Sequence, residues 1–309
     1  MIGIDVGGAN TKIVSDKGVH IHYCPLWQGS PLRDILGRYR DEGPAAVVMS
    51  GELADCFRSK MDGIRFIVGE VVAVFPGSLF YGTDGKFHED AVPELAAANW
   101  LASADFLGRK CPDAVLVDIG STTTDVVPLS SPERLVGLTD LARLQTGLLV
   151  YTGLLRTGIE TAISIVNVGG IPTPVCPEHF AIAADAYLAL GLVSDSDYTC
   201  ETPDRGPRNR QGSLRRLSRV VCADLSEIGE EGATDIARAF VARQQAQVRE
   251  AVRNVSESRG LRRVVTAGIG SGIFARVLAA TDLRLRLGPA ADALPTFAVR
   301  EVARRDRGS

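Results

Sequence analysis

The sequence predicts an α/β protein of two related domains with a cleft between them. Three observations carry that expectation. The length, 309 residues, is that of two domains at roughly 100–200 residues each. The second observation is an approximate internal repeat. Asp5-Val6-Gly7-Gly8-Ala9-Asn10-Thr11-Lys12-Ile13 aligns without gaps on Asp118-Ile119-Gly120-Ser121-Thr122-Thr123-Thr124-Asp125-Val126. Their spacing is far longer than a solenoid repeat, so two related domains fit better. The third is a Gly-rich turn near the C-terminus, Gly268-Ile269-Gly270-Ser271-Gly272, between an apolar run and a helical pattern.

In chain order, Met1 to Ile4 reads as a buried strand that meets Asp5 and a glycine turn, then resumes as a second strand. Ala45 to Met49 and Arg65 to Val74 read as strands, and Ala91 to Leu107 as a helix with Pro93 in its first turn. A boundary near Cys111-Pro112-Asp113 divides residues 1–111 from 112–309. Ala114 to Val117 and the turn after Asp118 repeat the opening hairpin. Pro172, Pro174 and Pro177 break the chain before a helix over Glu178 to Leu190. Asp195 to Gln211 is polar and rich in Pro and Gly, hence a loop, and Leu214 to Asp224 follows. The helical insertion therefore spans residues near 170–225. From Thr234 to Ser258, apolar residues recur at Ile236, Phe240, Val248, Val252 and Val255, close to the 3.6-residue period. Thr234 and Asp235 suit its start and Gly260 its end. Val264 to Ala267 is a strand, and Ile273 to Ala280 a helix.

Composition excludes several classes. Hydrophobic residues are 45% and charged residues 23% of the chain, ordinary globular usage. A net charge of −3 gives no basic field for nucleic acid. No apolar stretch reaches the roughly 18 residues of a membrane span, and MIGIDVGG has no signal-peptide pattern. Cys24, Cys56, Cys111, Cys176, Cys200 and Cys222 form no C-x-x-C pair. A cytoplasmic protein with reduced thiols is the expectation. Nothing fixes the oligomeric state; a homo-oligomer is compatible.

The turns carry the chemistry. Glycine lets backbone N–H groups approach a phosphate because no Cβ intervenes. The first turn offers Gly7, Gly8, Asn10, Thr11 and Lys12; the second offers Gly120, Ser121, Thr122, Thr123 and Thr124. Two such hairpins across a cleft suit a di- or triphosphate. Asp5 and Asp118, at strand ends facing that cleft, suit Mg²⁺. Asp125 shares a strand face with Thr123 and can serve as metal ligand, base or supporting partner. Gly268, Gly270 and Ser271 suit the far end of a nucleotide or another substrate.

These three motifs resemble those of the acetate and sugar kinase, Hsp70 and actin superfamily, in which two ribonuclease H-like domains flank a nucleotide cleft. The whole chain is also similar to a narrower family. The similarity runs through M-I-G-I-D-V-G-G-A-N-T-K, V-D-I-G-S-T-T-T-D-V-V-P, Y-T-G-L-L-R-T from Tyr151, C-P-E-H-F-A-I-A-A-D-A-Y from Cys176, Y-T-C-E-T-P-D-R-G-P from Tyr198 and R-L-S-R-V-V-C-A-D from Arg216. Together these resemble the hydantoinase/oxoprolinase-like proteins of tetrahydromethanopterin-linked one-carbon metabolism. That resemblance implies methanofuran biosynthesis: 5-(aminomethyl)furan-3-yl-methyl diphosphate condenses with γ-glutamyltyramine. The phenol oxygen would displace pyrophosphate to form an aryl ether. In this reading Asp5, Lys12 and Asp125 are catalytic, Asp125 being the first choice of base ahead of Glu178 and Asp185. Glu178, Asp185, Arg216 and Arg219 are expected at the substrates, the arginines on a diphosphate or a glutamyl carboxylate.

Other features read more simply as structure. The arginines from Arg205 to Arg219 suit a solvated loop. His20 and His22 share a strand face but lack further metal ligands nearby. His179 suits a helix start, and Trp27, Trp100, Tyr151 and Tyr198 suit packing. Two rival functions remain: an ATP-dependent kinase or hydrolase of the same superfamily, and a nucleotide-binding switch or assembly protein.

Overall fold

The computed structural model describes residues 1–308. Strands β1 (Ile2–Val6), β2 (Asn10–Ser15) and β3 (Gly18–Tyr23) lead into helix α1 (Leu32–Gly37), strand β4 (Ala45–Met49) and helix α2 (Lys60–Val74). Strands β5 (Leu79–Tyr81) and β6 (Phe87–His88) and helix α3 (Asn99–Gly108) follow. The pattern then restarts with β7 (Ala114–Ile119), β8 (Thr124–Pro128), α4 (Asp140–Gln145), β9 (Leu149–Val150) and α5 (Ile159–Ala162). A hairpin of β10 (Ile165–Val168) and β11 (Ile171–Pro174) precedes α6 (Ala183–Ala189), α7 (Arg210–Arg219) and α8 (Leu225–Arg259). The chain ends with β12 (Arg263–Ala267), α9 (Ser271–Leu278), β13 (Thr281–Asp282), α10 (Arg284–Leu287) and α11 (Leu294–Gly308).

The two large sheets share one topology. The first runs β3-β2-β1-β4-β5-β6 and the second β9-β8-β7-β12-β13. In each, an antiparallel three-strand meander pairs its first strand in parallel with the fourth, which pairs in parallel with the fifth. The internal repeat is thus a repeat of architecture: two ribonuclease H-like units, as the resemblance implies. In both units the carboxylate stands one residue from the end of the first strand. Asp5 lies opposite Lys12, and Asp118 lies opposite Asp125.

Alternation along the central strands decides what covers each face. In β4, Ala45, Val47 and Met49 join the apolar cluster under α1 and α2, whereas Ala46 and Val48 join the larger cluster with α3 and α11. The last helix returns to the first sheet. It packs on α3, with Phe106 and Phe297 edge to face at 5.3 Å. It also meets β1 so closely that a Cβ at Gly3 would lie 2.0 Å from the Thr296 carbonyl. Helix α3 meets β4 of the first sheet and β8 of the second, and α11 packs on it from the first sheet's side. Among the described residues no helix is long and apolar enough to cross a membrane.

Several elements differ from the sequence reading. Arg65 to Val74 belongs to a helix, not a strand. Buried Ile64, Ile67, Val68 and Val71 follow helical spacing, and the Ser59 side chain caps the Asp62 N–H; that period outweighs the β-branched run. The helix expected from Ala91 begins only at Asn99, because Ala97 takes a positive φ of 48°. The long helix ends at Gly260 as expected but starts at Leu225. A capping box of Asp224 and Glu227 opens it, and Gly229 (φ 67°) kinks it before Thr234.

Candidate active site

The two glycine turns face each other across a cleft of about 650 Å³. Each is closed in the same way: the Gly7 N–H donates to the Asn10 carbonyl, and the Gly120 N–H to the Thr123 carbonyl, at 3.0 and 2.9 Å. Neighbouring chain then takes up the turn carbonyls. Leu26 and Cys24 donate to Gly8 and Ala9, while Leu154, Leu155 and Arg156 donate to Gly120 and Ser121. This bracing leaves the N–H groups of Gly8, Ala9, Ser121, Thr122 and Thr123 without partners among the described residues, and all five residues line the cleft. Unpaired amides on glycine turns are what an anion needs. The brace behind the second turn is itself held. The Thr157 hydroxyl receives the Gly153 N–H, and buried Gln244 donates to the Gly153 carbonyl and Thr152 hydroxyl while accepting from Tyr187. Gly153 is obligatory, since a Cβ there would lie 2.5 Å from the Thr122 nitrogen.

Between the turns lies a charged centre. Asp5 and Asp118 are nearly buried, and Asp5 Oδ1 has no hydrogen-bond partner. Burial pushes Asp5 up to about 6; Lys12 opposes the rise and Asp125 adds to it. Burial pushes Asp118 up to about 7, again against Lys12, with Asp125, Asp5 and Asp292 adding repulsion. Lys12 donates to the Asp292 backbone carbonyl at 3.2 Å, which fixes its ammonium. Asp125 pairs with Arg143, which also holds Asp140 at 2.8 Å and stacks over the Trp100 ring at 4.3 Å. Burial still raises the Asp125 carboxyl above its ordinary range despite that guanidinium.

Sequence reasoning missed part of this site. Ser50-Gly51-Glu52 follows β4 as Gly268 to Ser271 follows β12. Ser50 and Gly51 donate to the Val6 carbonyl, as Gly270 donates to that of Ile119. The signal was a strand ending in Ser-Gly at the matching point of the first repeat. Glu52 is 2% exposed, and burial raises its carboxyl. Asn99, Asp140 and Arg143 also line the cleft, and nothing local in sequence marks them. At the mouth stand Tyr151, which is exposed, and Trp27, with the Arg156 guanidinium 5.2 Å from its ring centre. Both aromatics thus line the cleft instead of packing in the core.

The hydantoinase/oxoprolinase family model matches residues 44–289. A Methanocaldococcus jannaschii protein named (4-{4-[2-(gamma-L-glutamylamino)ethyl]phenoxymethyl}furan-2-yl)methanamine synthase is 36% identical over 287 residues, 89% of this chain and 87% of that protein. The chain belongs to the hydantoinase/oxoprolinase family. A Methanococcus vannielii protein of the same name is 36% identical over 172 residues, 55% of this chain and 78% of that protein. Among solved structures, a ROK family glucokinase from Streptomyces griseus aligns over 99% of both chains, at 10% identity and a TM-score of 0.47.

In this hydantoinase/oxoprolinase family member the remaining expected residues lie as follows. Asp5, Gly7, Gly8, Asn10, Lys12, Asp118, Gly120, Ser121, Thr122, Thr123 and Asp125 all line the cleft. Thr11 does not. Strand alternation sends Asn10 and Lys12 to the cleft and buries Thr11 on the opposite face. Gly268 and Gly270 serve close packing: a Cβ at Gly268 would lie 2.4 Å from Asp118 Oδ1, and one at Gly270 2.5 Å from Ile119. Ser271 is buried at the start of α9 with its hydroxyl unpartnered.

Asp185 and Arg216 are corrections. Both are fully buried and bonded to each other, with Ser213 and Tyr198 donating to the same carboxylate. Asp204 ties down the other side of Arg216 and also Arg219. This network locks the loop before α7 to α6 and α7; it does not reach the cleft lining. Glu178 is exposed beside His179, which bonds Glu160. Glu178 lies outside the cleft lining.

The donor set fits Mg²⁺. The cleft lining holds six carboxylates (Asp5, Glu52, Asp55, Asp118, Asp125, Asp140) against Lys12, Arg143 and Arg156. A polyanion entering this acidic cleft would require additional positive charge. Among the described residues no group of three His, Cys, Asp or Glu side chains forms a ready metal cage. Mg²⁺ needs none: it takes one or two carboxylates and completes its shell with water and phosphate. Asp5, with its orphaned buried oxygen, and Asp118 would supply that pair.

Proposed function

We propose that the protein is an ether-forming synthase of methanofuran biosynthesis. It joins 5-(aminomethyl)furan-3-yl-methyl diphosphate to γ-glutamyltyramine and releases pyrophosphate. The observation that carries this reading is the pair of braced, unpartnered amide turns flanking Asp5, Asp118 and Lys12. It occurs in a chain 36% identical to a synthase whose name spells out a phenoxymethyl-furan product.

The bond that breaks joins the furan methylene carbon to the diphosphate oxygen; its electron pair leaves with pyrophosphate. The bond that forms joins that carbon to the phenol oxygen, whose proton passes to a base. The amides of Gly8, Ala9, Ser121, Thr122 and Thr123, together with Asn10 and the Lys12 ammonium, receive the charge that builds on the departing diphosphate. Asp5 and Asp118 would hold Mg²⁺, which would offset phosphate charge. A phenol of pKa near 10 needs a base. Asp125 fills that role: Arg143 fixes one oxygen, and burial raises its proton affinity. Closure of the lobes, taken as residues 1–111 and 112–309 with α11 returning to the first, excludes water that competes for the activated carbon.

The test is incubation of the protein and Mg²⁺ with both substrates, and separately with ATP. Ether plus pyrophosphate without ATP is the expected result. No ether, with ADP formation or tight ATP binding, would return the protein to a kinase or nucleotide switch.

A further inference from the structure

A second cavity of about 730 Å³ adjoins the first and shares Asn10, Lys12 and Ser121 with it. Its character is different. Ile21 and Tyr23 of β3 face Leu154, Leu192, Ile269 and Ile273 across it. Ile21, Tyr23 and Leu192 are 46%, 40% and 39% exposed, an apolar surface that none of the described residues covers. The far part carries charge of both signs. Arg276, one helical turn beyond Gly272 on α9, has no partner among the described residues. Asp197 offers a carboxylate with one oxygen held by Ser194 and the other free. Arg284, by contrast, is occupied by Asp292 and the Ile269 carbonyl.

We infer that this second cavity is the acceptor site, seating an aryl group between Ile21, Tyr23, Leu154 and Ile273, with Arg276 and Asp197 holding a zwitterionic amino-acid tail. The inference rests on the proposed reaction and assigns its second substrate. An apolar slot with a few convergent polar groups is the usual form of a small-molecule site. A carboxylate suits a free guanidinium, and an ammonium suits the unpaired oxygen of Asp197. The junction at Lys12, Asn10 and Ser121 is where the phenol end meets the diphosphate turns. Each cavity then has one substrate: the acidic, amide-lined cleft takes the diphosphate, and the amphiphilic cavity takes the uncharged ring with its amino-acid end.

The test compares the full chain with Arg276→Gln and Tyr23→Ala variants, by equilibrium binding and by steady-state turnover. The ligands are γ-glutamyltyramine, tyramine, ATP and the furan diphosphate. Arg276→Gln is expected to weaken γ-glutamyltyramine at least tenfold and to leave tyramine affinity and the KM of the furan diphosphate unchanged. Tyr23→Ala is expected to weaken both acceptors. Acceptor affinity and KM unchanged in both variants, with ether still formed, would overturn this inference alone. ATP binding that both variants weaken, without acceptor binding, would make the cavity a nucleotide site. Acceptor binding that depends on Arg276 without ether formation would preserve the site and reject the reaction.

Discussion

Replacing Asp118 by Asn should make the metal-free protein more stable while disabling it. Burial and neighbouring carboxylates push Asp118 up to about 7 from an ordinary value of 3.8. The native state therefore binds more protons than the unfolded chain between those values. Wild-type stability falls as pH rises through that window and levels off above about 7. At roughly 1.4 kcal/mol per pKa unit, the ionised carboxylate is disfavoured by about 4 kcal/mol in the fold. The neutral amide avoids that cost but must itself be buried, so a gain of about 2–4 kcal/mol at pH 8 is expected. At about 2 °C per kcal/mol, this raises Tm by about 4–8 °C. The gain should vanish near pH 4, where the wild-type group is protonated. Mg²⁺ should raise the Tm of the wild type at pH 8 and do much less for the variant, and turnover should fall about 100-fold. The assay is thermal unfolding across pH 4–8, with and without Mg²⁺. A Tm difference that is flat across pH, or a variant less stable at pH 8, would refute this account of the cleft.

Gly268→Ala should cost about 2–4 kcal/mol in denaturant unfolding, because φ is 78° and the new Cβ would press on Asp118 and Ile119; a loss under about 0.5 kcal/mol would show that the turn is free to move. Arg216→Leu should cost about 3–5 kcal/mol by stranding buried Asp185, while the KM values of both substrates stay unchanged in the folded fraction. A raised KM with stability intact would restore Arg216 to the site. Asp125→Asn should lower kcat about 100-fold and remove the acidic limb of the pH–rate profile; unchanged turnover would eliminate Asp125 as the base.

The repeat made the fold legible, because the same strand–Asp–turn–strand unit must place its carboxylate at the same point of each sheet. Asp5, Asp118 and the two turns follow from that alone. Thr11 was misplaced because a glycine-rich turn hides where strand alternation resumes. Arg216 and Asp185 were misread because a buried ion pair and a ligand-binding arginine look alike in sequence; only their 0% exposure separates them. Glu52 and Arg143 depend on pairings between distant elements. The β4 turn matches the β12 turn in position but shares little of its glycine pattern, and Arg143 reaches Asp125 from the next helix.

The fate of the phenol oxygen separates ether formation from phosphoryl transfer. With γ-glutamyltyramine carrying ¹⁸O at the phenol, attack on the furan methylene leaves all label in the ether and none in pyrophosphate. That is the predicted result for a cleft that clamps a leaving diphosphate. Label recovered in a phosphorylated tyramine would show attack on phosphorus and would make the protein a phosphoryl-transfer enzyme instead.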